Sequence, residues 1–173
     1  SIYRKRQLEN AGVPFEVIVS NADETPDSTK TLKDQLAEIA MLKAKTVFEQ
    51  TKHRGRRLII AADQNIMFNG KLYSKQKTVE DARNFLRIVR GTNELYSYTG
   101  NAFLLAERDV ILQSVNVTDT ARLTVDCLSD KEIEDFLNLN PWSQVCGGAN
   151  TNNAPFVHVS EGRVSTANGL TLE

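Results

Sequence analysis

Apolar residues recur at helical spacing between Leu32 and Phe48, and this periodicity is the clearest structural signal in the chain. The i, i+3, i+4, i+7 pattern is typical of an amphipathic helix with one buried face, and its apolar positions are Leu32, Leu36, Ile39, Ala40 and Val47. At about 100° per residue, Lys43 falls in the middle of that face. A lysine in this position either extends its ammonium group to solvent or directs it at an anion in a cleft.

Three more helices are predicted from local signals. Arg4 to Ala11 predicts a short helix that ends before a glycine and a proline. Thr78 with Asp81, and Ser129 with Glu132, have the spacing of capping boxes and precede apolar stripes at helical spacing. We therefore expect a helix to begin directly after each of these two threonine or serine residues.

Short runs of β-branched and apolar residues predict strands between these helices. The candidates are Phe15 to Val19, Leu58 to Ala62, Leu95 to Leu105, Val110 to Thr118, Ala121 to Asp126 and Phe156 to Val159. The second run has the continuous apolar character of a buried central strand. It is followed by Asp63, which we expect at the carboxyl end of that strand, where open α/β sheets place ligands. The alternation of elements, without an internal repeat, predicts one α/β or α+β unit.

Composition narrows the class of ligand and the compartment. The formal net charge of -1 gives no overall attraction for nucleic acid or for an anionic membrane, so an anion must bind at a local site. No apolar run approaches the roughly 20 residues of a spanning helix. The two cysteines lack the spacing of a metal site or a disulfide framework, which favours a reducing cytosol. We expect a cytoplasmic protein with a small charged ligand.

Two candidate groups lie in the first quarter of the chain. Ser1 to Arg6 brings a hydroxyl and three cations to the start of a helix, where free N–H groups favour an anion such as phosphate. The alternative is a solvated basic segment, since exposed arginine and lysine are common. Asp23 and Glu24 follow the first predicted strand, where they hold a divalent cation or cap the next turn.

Asp63 and Lys75 form the second pair of candidates. Asn69-Gly70 predicts a tight hairpin between them, which would bring Lys75 back beside the strand that precedes Asp63. The alternatives are a turn-forming aspartate and a solvated lysine, respectively.

These groups form an ordered series of motifs along the chain. The series runs S-x-x-R, D-E-T-P, A-x-x-K-A, A-D-Q and G-x-x-x-S-K, followed by G-G after a cysteine and a closing N-G-L-T-L. In this order and spacing the chain resembles the Maf-like nucleotide pyrophosphatases from Ser1 to Leu172. The resemblance implies an inosine-triphosphatase-like fold, with a mixed sheet and a deep nucleotide cleft, in a single domain over residues 1–173.

The resemblance also implies a reaction and a set of roles. The reaction is hydrolysis of a nucleoside triphosphate between its α and β phosphorus atoms, with Mg²⁺ or Mn²⁺, to the monophosphate and pyrophosphate. Asp63 would be the catalytic carboxylate, binding the cation or orienting the attacking water, and Glu24 would help to hold the metal. Ser1, Arg4, Lys43 and Lys75 would cradle the phosphates, while Gln64 and Tyr3 would help to select the base.

The motifs point to one branch of the family. Tyr3-Arg4, Asp23 to Pro26 and Asp63-Gln64 look most like the branch associated with 7-methyl-GTP, whereas the dTTP and UTP branch usually has threonine after the aspartate. Two positions depart from the pattern: Ser74-Lys75-Gln76 replaces Gly-Lys-Pro, and Thr171 replaces a proline. The alternative is therefore a weak or inactive relative that acts as a nucleotide- or protein-binding factor linked to cell division.

The ends of the sequence also differ from the family pattern. The resemblance implies an apolar strand ahead of Ser1 and a helix after the closing motif, and this sequence contains neither. We therefore expect a domain that lacks its first strand and last helix. The sequence leaves a homodimer open.

Overall fold

The computed structural model describes residues 1–171; Leu172, the last residue of the closing motif, and Glu173 lie outside the described residues. Within that range the helices are α1 (Ile2–Asn10), α2 (Leu32–Gln50), α3 (Val79–Val89), α4 (Asp130–Leu139) and α5 (Val164–Ala167), with a 3₁₀ turn at Trp142–Gln144. The strands are β1 (Arg57–Phe68), β2 (Lys71–Tyr73), β3 (Leu95–Glu107), β4 (Val110–Val125) and β5 (Val157–Glu161).

The strands form one five-stranded sheet in the order β2-β1-β3-β4-β5, and the pairs within the described range are antiparallel. Asn69 and Gly70 both have positive φ and join β1 to β2, so the predicted hairpin is confirmed. The α/β class expected from the sequence is also confirmed. None of the helices within residues 1–171 combines the length and the apolar character needed to cross a membrane.

Helix α2 packs on one face of the sheet through the apolar stripe that predicted it. Ala40, Ala44 and Phe48 are buried against side chains of β1 and β3. Near the start of the helix the two elements approach closely, because a Cβ added to Gly100 would lie 2.5 Å from the backbone of Leu36. Gly100 pairs with Asp63 of β1, so this contact brings α2 down beside Asp63.

Helices α3 and α4 pack on the opposite face of the sheet. Both begin at the predicted capping boxes, in which the side chain of Thr78 or Ser129 accepts the N3 backbone N–H and the N3 carboxylate accepts the N-cap N–H. Their apolar faces share a second core cluster with Ile66, Leu95 and Leu123 of the sheet. This packing leaves the space beside α2 and the middle of β1 for polar side chains.

The predicted strand at Phe15 to Val19 is wrong. The segment forms no β-bridge with any residue that the structure describes, and Val17 and Val19 are 67% and 69% exposed. Side chains hold it instead, because Gln50 Nε2 donates to the Ser20 carbonyl oxygen at 3.1 Å and Arg54 forms an ion pair with Glu16. A strand requires a neighbour that supplies the backbone ladder, and this apolar run does not pair with one in the described part of the chain.

Two predicted boundaries in the sheet are also wrong. Strand β1 does not end before Asp63 but continues to Phe68, because β3 pairs with it through Tyr98, Thr99 and Gly100. Asp63 therefore lies in the middle of a strand. The sequence predicts two strands, Val110 to Thr118 and Ala121 to Asp126, with polar residues between them. The structure has one continuous strand there, β4.

Candidate functional site

The eight residues singled out by the motif series line one cavity of about 560 Å³. This volume lies within the roughly 300–1,000 Å³ that is usual for small-molecule sites. The eight are Ser1, Tyr3, Arg4, Glu24, Lys43, Asp63, Gln64 and Lys75. They come from α1 and its N-cap, α2, β1 and two loops, so the fold brings together positions that are up to 74 residues apart in the chain.

Lys43 lies between two carboxylates at the side of the cavity. Its Nζ is 2.7 Å from Asp63 Oδ1 and 2.9 Å from Glu24 Oε2, and the side chain is only 14% exposed. Of the two alternatives left by the sequence, the ammonium group therefore takes the inward one. The helical stripe that places Lys43 there continues along the cavity wall with Ile39 and Leu36, one and two turns earlier.

Arg4 lies on the first turn of α1, and two backbone carbonyls hold its guanidinium. Nε donates to the Gly169 oxygen at 2.6 Å, and Nη1 donates to the Ala62 oxygen at 2.7 Å. Burial lowers the pKa of the guanidinium, while the Asp63 carboxylate acts in the opposite direction. An arginine still keeps its charge at neutral pH. Within residues 1–171 no hydrogen bond uses the Nη2 group of Arg4, which can therefore bind an anion.

The side-chain amide nitrogen of Gln64 bonds to residues that do not line the cavity. Its Nε2 donates to Ser97 Oγ at 2.8 Å and to the Ala167 carbonyl oxygen at 3.0 Å, so both amide protons are used within the protein. Tyr3 is also largely enclosed, with 2% of its surface exposed. Their roles in base selection stay predictions, and Gln64 has only its Oε1 left to contribute.

Ser1 and Lys75 lie at more open positions of the cavity wall. The Ser1 side chain makes no capping hydrogen bond at the start of α1. Lys75 is exposed and follows β2, where it forms an isolated antiparallel bridge with Cys146. The bridge fixes the backbone at Lys75 although the glycine and proline of the family pattern are absent. The lysine therefore keeps its place at the cavity.

Glu24 and Asp63 are the candidate metal ligands. Oxygens of both carboxylates lie within 3 Å of the same Lys43 Nζ, so they already converge on one positive charge. No cluster of three or more histidine, cysteine or acidic side chains suited to a metal occurs within residues 1–171. Two carboxylates nevertheless fit Mg²⁺ or Mn²⁺, because such ions are commonly bound by one or two carboxylates together with substrate phosphates. The adjacent Asp23 instead accepts the N–H and hydroxyl of Thr25, the turn-capping role.

The late segment of the chain supplies cavity residues to which the sequence analysis gave no role. Asn150 and Asn168 line the cavity although each is only 6% exposed. Asn150 Oδ1 accepts the N–H groups of Asn152 and Asn153, while Asn168 Oδ1 accepts the Thr151 hydroxyl. These bonds hold the carboxamides in fixed orientations. The sequence signal at Asn150 was an asparagine-rich stretch, which is equally typical of an ordinary turn, whereas Asn168 opens the closing N-G-L-T-L motif.

Cys146 is the remaining unassigned group of chemical interest in the cavity wall. Its Sγ donates to the Gln64 carbonyl oxygen at 3.2 Å. Burial raises the pKa of this thiol, which disfavours the nucleophilic thiolate. We therefore give it a packing role rather than a chemical one.

Comparison with known proteins gives a family and a set of relatives. A family model described as Maf-like protein matches residues 1–173. Curated proteins called dTTP/UTP pyrophosphatase, one from Bacillus cereus and one from Bacillus mycoides, are each 28% identical over 135 residues. The matched region covers 78% of this chain and 65% of each relative, which is slightly less than two thirds of their length.

Proposed function

We propose, since the chain belongs to the Maf-like protein family, that it is a nucleoside triphosphate pyrophosphatase. The observation that supports this most directly is the position of Lys43 between Asp63 and Glu24, in a cavity that also contains Arg4 and Lys75. A site that only bound nucleotide would need the cations but not two converging carboxylates. The relatives named as pyrophosphatases support the same reaction class.

The reaction would consume one water, break the phosphoanhydride bond between the α and β phosphorus atoms, and release the monophosphate and pyrophosphate. Phosphoryl transfer needs little covalent help from the protein, so its rate comes from positioning and from neutralising charge on the phosphate oxygens. Arg4, Lys43 and Lys75 would supply that neutralisation. Asp63 is the group we assign to orient the attacking water.

Lys43 would change partners when the substrate binds. In the structure its charge is neutralised by Asp63 and Glu24. A triphosphate offers it a stronger set of acceptors, because phosphate oxygens carry more negative charge than the two carboxylates. Glu24 and Asp63 would then hold the divalent cation, which when bound stabilises charge on the phosphates as a Lewis acid.

The identity of the base is the finer part of the proposal. We retain 7-methyl-GTP as the best substrate, on the motifs that contain Tyr3, Arg4 and Gln64. The Bacillus relatives are named for dTTP and UTP and give the competing expectation. Because both amide protons of Gln64 are already used, its selectivity would rest on Oε1 and on the shape of the wall it forms.

Pyrophosphate release from a panel of triphosphates tests the function. The panel would contain 7-methyl-GTP, GTP, UTP, dTTP and ITP, each with Mg²⁺ or Mn²⁺, and would use the wild-type protein, Asp63→Asn and the control Asp109→Asn. Asp109 is an exposed carboxylate in the turn between β3 and β4, away from the cavity. We expect turnover that Asp63→Asn abolishes and Asp109→Asn leaves unchanged.

The outcomes separate the alternatives. Preference for dTTP or UTP would retain the reaction but overturn the base assignment. Nucleotide binding without turnover of any triphosphate would refute the catalytic proposal and leave the binding factor. A homodimer and a cytoplasmic location stay predictions, which light scattering of the purified protein and imaging in cells would check.

A further inference from the structure

A buried polar cluster lies behind the cavity wall, outside the set of residues that line it. Thr99, Asn101 and Thr166 have no exposed surface, and Thr171 is 8% exposed. Buried polar side chains cost free energy unless they are hydrogen-bonded, so their retention in a core position calls for an explanation. The proposed chemistry uses none of them directly.

The cluster is a directional chain of hydrogen bonds. Asn101 Nδ2 donates to Thr171 Oγ1 at 3.2 Å, and the two hydroxyl oxygens of Thr171 and Thr166 are 3.0 Å apart. Thr166 Oγ1 donates to Asp119 Oδ2 at 2.7 Å. Because the single hydroxyl proton of Thr166 is used there, Thr171 must be the donor to Thr166. The series of hydrogen bonds therefore runs from Asn101 to the carboxylate of Asp119, and each bond orients the next.

The same segment is fixed through its backbone. Asn101 Oδ1 accepts the Thr171 N–H at 3.3 Å, and the Thr166 carbonyl oxygen accepts the Thr99 hydroxyl at 2.9 Å. Both ends of residues 166–171 are thereby tied to β3. The position of the carbonyl groups between them follows from these contacts.

Those carbonyl groups hold the functional side chains. The Gly169 oxygen accepts Arg4 Nε, and the Ala167 oxygen accepts Gln64 Nε2. The fit is tight, because a Cβ added to Gly169 would lie 2.8 Å from Gln64 Oε1 and 3.2 Å from Arg4 Nε. A small shift of residues 166–171 would therefore also displace the guanidinium of Arg4.

We propose that Thr166 is a positioning residue for the triphosphate reaction. Its hydroxyl fixes residues 166–171 so that the Gly169 carbonyl holds Arg4 at the cavity. This inference rests on the proposed function for its kinetic consequence, whereas its structural part concerns only the bond between Arg4 and Gly169. A misplacement of about 1 Å in a positioned group can cost about 100-fold in rate.

A pair of substitutions separates the hydroxyl from the packing. Thr166→Val keeps the shape and removes the hydroxyl, while Thr166→Ser keeps the hydroxyl. We expect Thr166→Val to lower kcat/KM for the best triphosphate by about 10- to 100-fold, with Thr166→Ser within about threefold of wild type. In an Arg4→Gln background, Thr166→Val should add less than about twofold, because residues that act through one another are not additive. An equal loss in both backgrounds would overturn the proposal.

An NMR measurement tests the same bond without turnover. The Nε–H signal of Arg4 in a ¹H–¹⁵N spectrum of the full chain should be protected from exchange in the wild type and in Thr166→Ser, and exposed in Thr166→Val. An unchanged signal in folded Thr166→Val would refute the positioning role. If that variant does not fold, Thr171→Val removes the preceding hydroxyl of the chain and must give the same exposure. A wild-type protein without turnover would refute the proposed function alone.

Discussion

Removal of the Lys43 charge is the perturbation whose effect can be worked out most fully from the structure. Lys43→Met keeps a long unbranched side chain on the buried stripe of α2 and deletes the ammonium group. The wild-type Nζ is 2.7 Å from Asp63 Oδ1, the geometry of a charge-assisted hydrogen bond. Such bonds contribute about 1.5–3 kcal/mol when partly buried. The bond to Glu24 adds little to stability, because that carboxylate is 54% exposed and screened by water.

The expected effect on catalysis is larger than the effect on folding. Loss of one group that stabilises developing charge typically lowers kcat by about 10²- to 10³-fold, or about 2.7–4 kcal/mol. We therefore expect Lys43→Met to reduce kcat/KM by at least about 100-fold, whereas its free energy of unfolding falls by about 1.5–3 kcal/mol. Pyrophosphate release and urea unfolding measure the two quantities on the same preparation.

Lys45→Met is the matched control for this prediction. Lys45 is an exposed residue on the same helix, two positions later and outside the cavity. It should change neither quantity by more than about 0.5 kcal/mol, as is usual for surface substitutions. Equal activity in the two variants would show that the inward lysine has no part in the reaction, and the argument from helical periodicity to phosphate binding would then fail.

Two further predictions concern the segment that holds the cavity from behind. Gly169→Ala should lower both activity and stability more than Gly12→Ala. Both glycines have positive φ, but of the two only Gly169 would place the new Cβ against a neighbour, 2.8 Å from Gln64 Oε1. Equal losses in the two variants would show that the positive φ, and not the contact with Gln64, causes the effect. For Asp119, burial raises the pKa, but the Thr166 hydroxyl bond and other bonds outweigh it and hold the pKa below its usual 3.8. The stability that the Asp119 carboxylate contributes is therefore fully present above about pH 3.8 and is lost as the pH falls through the lower folded pKa. In urea unfolding, the difference in free energy between wild type and Asp119→Asn should shrink over that acidic range. A difference that stays constant with pH would contradict the lowered pKa of Asp119.

The parts of the fold that sequence predicted well are those decided by local chemistry. The two capping boxes at Thr78 and Ser129 and the turn at Asn69-Gly70 each require only a few neighbouring residues, and each is present in the structure. The errors arose where the partner lies far along the chain. Phe15 to Val19 has a good strand composition but pairs with no neighbour among residues 1–171, while Asp63 continues a strand because Gly100 pairs with it.

The candidate site divides in the same way. Helical periodicity alone singled out Lys43, and local position at a helix start, after a strand or beside a turn singled out most of the other residues that share its cavity. The motif order added Gln64 and the roles of the set. The contacts that hold the site could not be predicted, because the bond from Arg4 to Gly169 spans 165 residues and is made by a backbone oxygen. A carbonyl carries no sequence signature. The orientation of Gln64 toward Ser97 was hidden for a similar reason, since the same amide could equally face a ligand.

The two inward cations of the cavity, Arg4 and Lys43, are held by different kinds of partner, and this difference suggests different roles in substrate binding. Arg4 is bound by two carbonyl oxygens, which carry no net charge, so its positive charge is available to a ligand without the loss of either bond. Lys43 is paired with two carboxylates and, in the proposed reaction, would have to give up that pairing to bind phosphate. When it does, Asp63 and Glu24 are left as two converging negative groups that need another cation. In the proposed reaction, binding of the triphosphate through Lys43 and binding of a divalent cation through the carboxylates would therefore be coupled, and each would favour the other.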